Sequence, residues 1–137
     1  MKILGIGSNM VKSLKYWLFS SNVIELKGRE IQLSEFGLLI LKYDKYLESK
    51  FIWFLIHYFL VRNTFECPIF CGVFNFDIKT FSKNDIINEF ISSFDNLGVS
   101  YKKDYIEDDL NVFLKSYITE NVSENPEDNY ICPFSGL

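Results

Sequence analysis

At 137 residues, 48% apolar and 18% aromatic with 14 Phe and 8 Tyr, the chain has the length of one domain with a ring-built core, which excludes disorder over most of it. A net charge of −4 excludes a protein that coats nucleic acid everywhere, but the charge is uneven: residues 1–63 hold nine Lys/Arg against five Asp/Glu, and residues 64–137 five against thirteen. The longest apolar run, residues 51–61 interrupted by His57, falls well short of the roughly 20 residues of a membrane span.

Residues 1–9 have neither the charged start nor the apolar stretch of a signal peptide, so a cytoplasmic location is expected. Cys67, Cys71 and Cys132 are too sparse for a disulfide framework. Ser8 is an N-cap candidate for a helix over residues 9–20, where Met10, Leu14, Trp17 and Leu18 make one apolar stripe that is expected to be buried. The opposite side carries Asn9, Lys12, Ser13 and Tyr16, with Lys15 on the flank. Two short alternating segments, residues 23–26 and 30–33, surround Lys27-Gly28-Arg29 and read as a β-hairpin with a basic tip. Ser34 then caps a helix over residues 35–43 with Phe36, Leu39 and Ile40 facing inward. Helix, hairpin, helix is the order of the back half of a winged helix-turn-helix.

Residues 43–48 read as a connector into a buried helix over residues 50–62. Residues 65–76 suit a strand by their β-branched and aromatic content and a buried helix by Phe70, Val73 and Phe74; helix is the preferred reading. Ser82 to Asp85 form a capping box, after which Ile86, Ile87, Phe90, Ile91, Phe94 and Leu97 repeat at helical spacing up to a stop at Gly98. A last helix over residues 102–118 has the stripe Ile106, Leu110, Phe113, Leu114 and Tyr117; residues 119–129 are expected to be an acidic loop, and residues 131–137 to dock back. The expected fold is mostly α with a small β-hairpin: an incomplete winged helix-turn-helix over residues 1–44 packed on a helical extension over residues 45–137, with one continuous core.

In a helix-turn-helix the second helix enters the major groove while a basic wing touches the backbone beside it. That assigns DNA contact to Asn9, Lys12, Ser13, Lys15, Tyr16, Lys27 and Arg29, with a protein-interaction module as the alternative. Gly5-Ile6-Gly7-Ser8 lacks the third glycine of a dinucleotide fingerprint and the lysine of a P-loop, and reads as a structural turn. Cys67 and Cys71 have no second ligand pair for zinc, His57 lies in an apolar run and reads as a core residue, and Asp104, Glu107, Asp108 and Asp109 complement a helix dipole. Nothing near Cys132 in sequence lowers its pKa. No metal, cofactor, small-molecule substrate or catalytic set is therefore expected.

Residues 4–11, Leu-Gly-Ile-Gly-Ser-Asn-Met-Val, with Tyr16-Trp17-Leu18 a turn later, resemble the hallmark helix of the DUF4007 family, bacterial proteins without an assigned activity. Leu33 to Gly37, Tyr43 to Glu48, Trp53 with Leu55 and His57, Phe74-Asn75, Asp109 with Lys115-Ser116-Tyr117, and Cys132-Pro133 with Leu137 are similar to further segments of that family in the same order. The resemblance implies a setting beside DNA phosphorothioation and anti-phage systems, hence DNA association or assembly with modification proteins; the protein-interaction alternative carries the expectation of a homodimer or a partner chain. It also implies longer relatives, with an aromatic-rich helical segment before the glycine turn, so the helix supporting residues 9–20 is expected to lie outside this chain.

Overall fold

The computed structural model describes residues 5–76, 82–96, 98, 102–118 and 132–136. The chain falls into two compact units, Met1–Glu66 and Cys67–Leu137.

In the first unit, α1 (Ser8–Ser20) leads into the strands β1 (Ile24–Lys27) and β2 (Glu30–Leu33), followed by α2 (Glu35–Tyr43) and α3 (Lys50–Arg62). The strands pair antiparallel from Ile24 opposite Leu33 to Lys27 opposite Glu30, leaving Gly28-Arg29 as a two-residue turn. Gly28 takes φ +65°, the left-handed value that such a turn requires at its first position and that a Cβ would penalise. Asn22, also left-handed at φ 58°, reverses the chain between α1 and β1.

Ser34 joins these pieces. Its N–H donates to the Val23 carbonyl at 3.0 Å, its hydroxyl donates to the Asn22 carbonyl, and its Oγ accepts from the Gly37 N–H at 2.9 Å as the N-cap of α2. Gly37 is there for space: a Cβ would lie 2.1 Å from the Val23 carbonyl oxygen. The core below is formed by Phe36, Ile40, Ile56 and Leu60, with the Phe36 ring 4.9 Å from that of Phe59. The connector between α2 and α3 is closed by Asp44, whose carboxylate accepts the N–H groups of Glu48 and Ser49, while the Trp53 indole donates to the Leu47 carbonyl at 2.8 Å.

In the second unit, α4 (Pro68–Asn75), α5 (Lys83–Asn96), α6 (Lys103–Tyr117) and a 3₁₀ turn (Pro133–Gly136) enclose a core of Ile69, Phe70, Ile86, Ile87, Phe90, Ile106, Leu110, Phe113 and Phe134. Residues 68–75 are helical, in line with the preferred reading, and start on Pro68, whose missing N–H costs nothing at a first helical position. Phe70 and Phe74 both stand edge-on to Phe113, and Phe134 stacks on Tyr117, which is how the terminal segment docks. The capping box forms as expected, with Asp85 accepting the Ser82 N–H at 2.7 Å and Ser82 Oγ accepting the Asp85 N–H at 3.3 Å. Leu97 and the expected loop over residues 119–129 lie outside the described residues.

The fold is thus mostly helical with a two-stranded antiparallel hairpin, as the sequence indicates. Three local expectations are corrected. Gly7, not Ser8, caps α1, and Ser8 is its first residue without a side-chain cap bond. Met10 and Leu14 are 61% and 42% exposed rather than buried, because periodicity assigns residues to a shared face without showing that another element reaches it. Leu39 is exposed for the same reason, and Gly37 occupies the inward position between Phe36 and Ile40.

Replacing Gly37 by Ala should cost about 3 kcal/mol, near the upper end for forcing an atom into a packed site, because the obstructing atom is a backbone carbonyl. Ser34→Ala should cost about 1–2 kcal/mol by removing the cap and orphaning its partners. Urea unfolding measures both, and an unchanged midpoint for Gly37→Ala would refute this account of the junction.

Candidate nucleic-acid interface

The residues singled out for DNA contact all lie in the first unit and are all exposed. On α1, Asn9, Lys12, Ser13 and Tyr16 follow one another at i, i+3, i+4 and i+7, so helical geometry puts them in one row. Lys15 lies beside that row with its ammonium 5.7 Å from the centre of the Phe19 ring. The Tyr16 hydroxyl donates to the Glu66 carbonyl, and its ring meets Trp17 edge-on at 5.1 Å. Tyr16 is therefore a fixed ring on this surface and not a free hydroxyl.

The attachment of α1 is concentrated at its C-terminal end. Ser20 is the one fully buried residue of the helix, its carbonyl accepts from Asn63 Nδ2 at 3.3 Å, and the Val23 N–H donates to the Leu18 carbonyl at 2.9 Å. The preceding turns stand out into solvent and expose Met10, Val11 and Leu14 together with the polar row.

The hairpin tip presents Lys27 and Arg29. One face of the ladder carries Glu25 with Gln32, joined by a 2.7 Å hydrogen bond, and Lys27 opposite Glu30. The other pairs Ile24 with Leu33, both half-buried, and Leu26 with Ile31, both exposed, so the apolar face is covered at the base and bare towards the tip.

Elsewhere the chemistry is sparser. His57 is half-buried in α3, and burial holds its imidazole below the usual 6.5. Asp85 is kept below the ordinary carboxylate range by its hydrogen bonds from the Ser82 backbone and then the Ser82 hydroxyl. In the second unit the Tyr117 phenol is pushed above its usual range, first by burial and then by the charge of the Cys132 and Cys67 sulfurs nearby. Nothing in the spacing of Cys67, Tyr117 and Cys132 announces that grouping; it follows from docking of the terminal segment. None of Cys67, Cys71 and Cys132 is in a disulfide. Among the described residues no three His, Cys, Asp or Glu side chains come together in a way that could hold a metal ion, and no helix is long and apolar enough to cross a membrane. Asp104, Asp108 and Asp109 are exposed on α6, where Lys103 pairs with Glu107 at 3.7 Å.

The order of these elements bears directly on the family resemblance. The model of the DUF4007 family, described as a protein of unknown function, matches residues 1–137. The chain belongs to the DUF4007 family. No curated protein and no solved structure matches it. Membership therefore accounts for both units of this DUF4007 protein together and leaves its activity to be argued from the surface.

His57, the sole histidine, gives a pH test. Between its lowered folded value and 6.5 the unfolded chain binds more protons than the folded one, so stability is full above 6.5 and declines as pH falls below it until the folded imidazole protonates. NMR titration should place the His57 midpoint below 6.5, and His57→Gln should remove this component from unfolding curves taken between about pH 7 and 5.5. A midpoint at or above 6.5 would contradict the burial argument.

Proposed function

We propose that this DUF4007 protein binds duplex DNA through the exposed row of α1 and the basic hairpin tip, acting as a winged-helix unit. The observation that carries the reading is that Asn9, Lys12 and Ser13 lie in one exposed row on a helix anchored at its far end, in the same unit as a wing bearing Lys27 and Arg29. Short amide and hydroxyl side chains at helical spacing match base edges and phosphate oxygens in a major groove, and the lysines supply the counterion-releasing contacts that dominate affinity. With so few cations, binding is weak without a specific sequence, in the range of about 10⁻⁴ to 10⁻⁶ M that electrostatics alone supplies. The setting that the family resemblance implies suits a DNA contact made within a modification or defence assembly.

A second reading is favoured by the exposed Met10, Val11 and Leu14 beside the polar row and by Leu26 and Ile31 on the wing. Apolar side chains left bare on both arms suit a protein-interaction subunit without direct DNA contact.

Fluorescence titration of a labelled duplex at low salt separates the two. Lys12→Glu/Lys15→Glu should weaken binding at least about tenfold, and Lys27→Ala/Arg29→Ala should reduce the slope of log affinity against log salt by roughly 0.9 for each phosphate that is no longer neutralised. Absent binding, or binding indifferent to these changes, sinks the DNA reading. Self-association in sedimentation experiments that Met10→Ser/Leu14→Ser abolishes would instead support the interaction subunit.

A further inference from the structure

The end of α2 and the connector to α3 carry a repeat: Lys42-Tyr43 and Lys45-Tyr46, three residues apart around Asp44. In each pair the lysine ammonium sits over the neighbouring ring, 4.8 Å from the centre of Tyr43 and 4.7 Å from that of Tyr46. Both tyrosines are among the most exposed large side chains of the unit, at 70% and 73%. Each ring thus carries a cation on one face and has room for a flat ligand on the other.

The segment is also held in shape. Asp44 ties the start of the turn to its end, its two carboxylate oxygens accepting the N–H groups of Glu48 and Ser49, the Leu47 N–H returns to the Asp44 carbonyl at 2.9 Å, and Leu47 sits at φ 56° beside the Trp53 indole bond. With both oxygens turned to backbone N–H groups, Asp44 does not neutralise the flanking lysines by direct pairing. Beside Tyr43 opens a concavity of about 330 Å³, lined mainly by Tyr43, Phe51, Phe36, Ile52 and Leu55, with Asp44 and Ser49 as its polar lining. Along α3 the exposed rings continue at i, i+3 and i+7 as Phe51, Phe54 and Tyr58, where the Arg62 guanidinium lies 5.5 Å from the Tyr58 ring.

We propose that the two Lys-Tyr pairs form a stacking platform for single-stranded DNA, with bases on the tyrosine rings and phosphates on Lys42 and Lys45. Exposed rings interleaved with cations on a rigid surface are the device by which single strands are held, because every unpaired base has a free π-face. A duplex keeps those faces stacked on one another. An apolar protein partner would have to strip water from both ammonium groups without compensating them, whereas phosphate compensates them directly. The concavity next to Tyr43 is mostly apolar apart from Ser49 and Asp44, whose carboxylate oxygens already accept backbone N–H groups, which favours deoxyribose over ribose. This site is separate from the α1 row, and neither reading depends on the other.

The probe is a fluorescein-labelled oligothymidylate of about 20 nucleotides, followed by anisotropy, with circular dichroism melting to check that each variant is folded. Tyr43→Ala/Tyr46→Ala should weaken binding at least about tenfold and leave the salt slope unchanged. Lys42→Ala/Lys45→Ala should lower that slope by roughly 1.4, about 0.7 for each phosphate neutralised on a single strand. Glu48→Gln, which removes an exposed carboxylate next to the pairs, should tighten binding. The proposal is overturned if the wild type does not bind, if a strand of abasic sites binds equally well, or if oligouridylate of the same length binds as tightly. A dimer that the tyrosine variant dissolves overturns it too, since the rings would then be covered by a second copy. Duplex titrations with the same proteins keep the sites apart: loss of duplex binding with oligothymidylate binding intact counts only against α1.

Discussion

The carbonyl of Val23 and the side chain of Ser34 fix the geometry of the first unit. One oxygen receives the Ser34 N–H, lies within reach of the Ser34 hydroxyl and comes so close to α2 that no side chain fits at position 37. The same short stretch returns the Val23 N–H to the Leu18 carbonyl at the end of α1. Three elements therefore meet through backbone groups and one buried hydroxyl, with no long side chain between them. Such a joint is stiff, because its groups have few rotamers to trade and an unmade hydrogen bond in a buried place is expensive. It sets the direction in which α1 leaves and the hairpin rises, so the polar row and the basic tip have a defined relation without any contact near their outer ends.

That constraint also explains which parts of the fold are legible in advance. The bounds of α2 and α3 follow from signals within a few residues: Ser34 as a cap, Lys50 after a polar connector, and Asn63 ending the apolar run. The hairpin follows from a glycine between alternating segments, and α5 from a box closed within four residues. Residues 68–75 are ambiguous in pattern, and what makes them helical is Pro68 at the start together with rings supplied by α6, a partner forty residues away. The exposure of Met10, Leu14 and Leu39 is not legible, since spacing gives a face and only the folded unit shows whether that face is met.

The candidate site divides in the same way. Helical spacing is enough to place Asn9, Lys12, Ser13 and Tyr16 in one row, because those positions depend on the helix alone. Tyr16 donating to Glu66, fifty residues away, is invisible in sequence, as is the grouping of Cys67 and Cys132 around Tyr117. The two Lys-Tyr pairs are plain in sequence but lie at a helix end and in what reads as a connector. Their significance comes from Asp44, whose side chain is a backbone clamp and not a surface charge paired with the lysines.

Charge sets the scale of any nucleic-acid affinity. Residues 1–66 carry nine Lys/Arg and six Asp/Glu, and residues 67–137 five and twelve, so the two units have opposite sign. At physiological salt, charges separated by more than about 8–10 Å are largely screened from each other. Any contact affinity for a polyanion then depends on cations close to its phosphates, and the acidic unit would oppose approach only at low salt, where the screening length is longer. On the proposed reading, DNA is held where local geometry adds to a modest electrostatic attraction. On α1 the proposed addition is a row of short polar side chains on a stiff joint; around the connector it is ring surface beside a clamped turn.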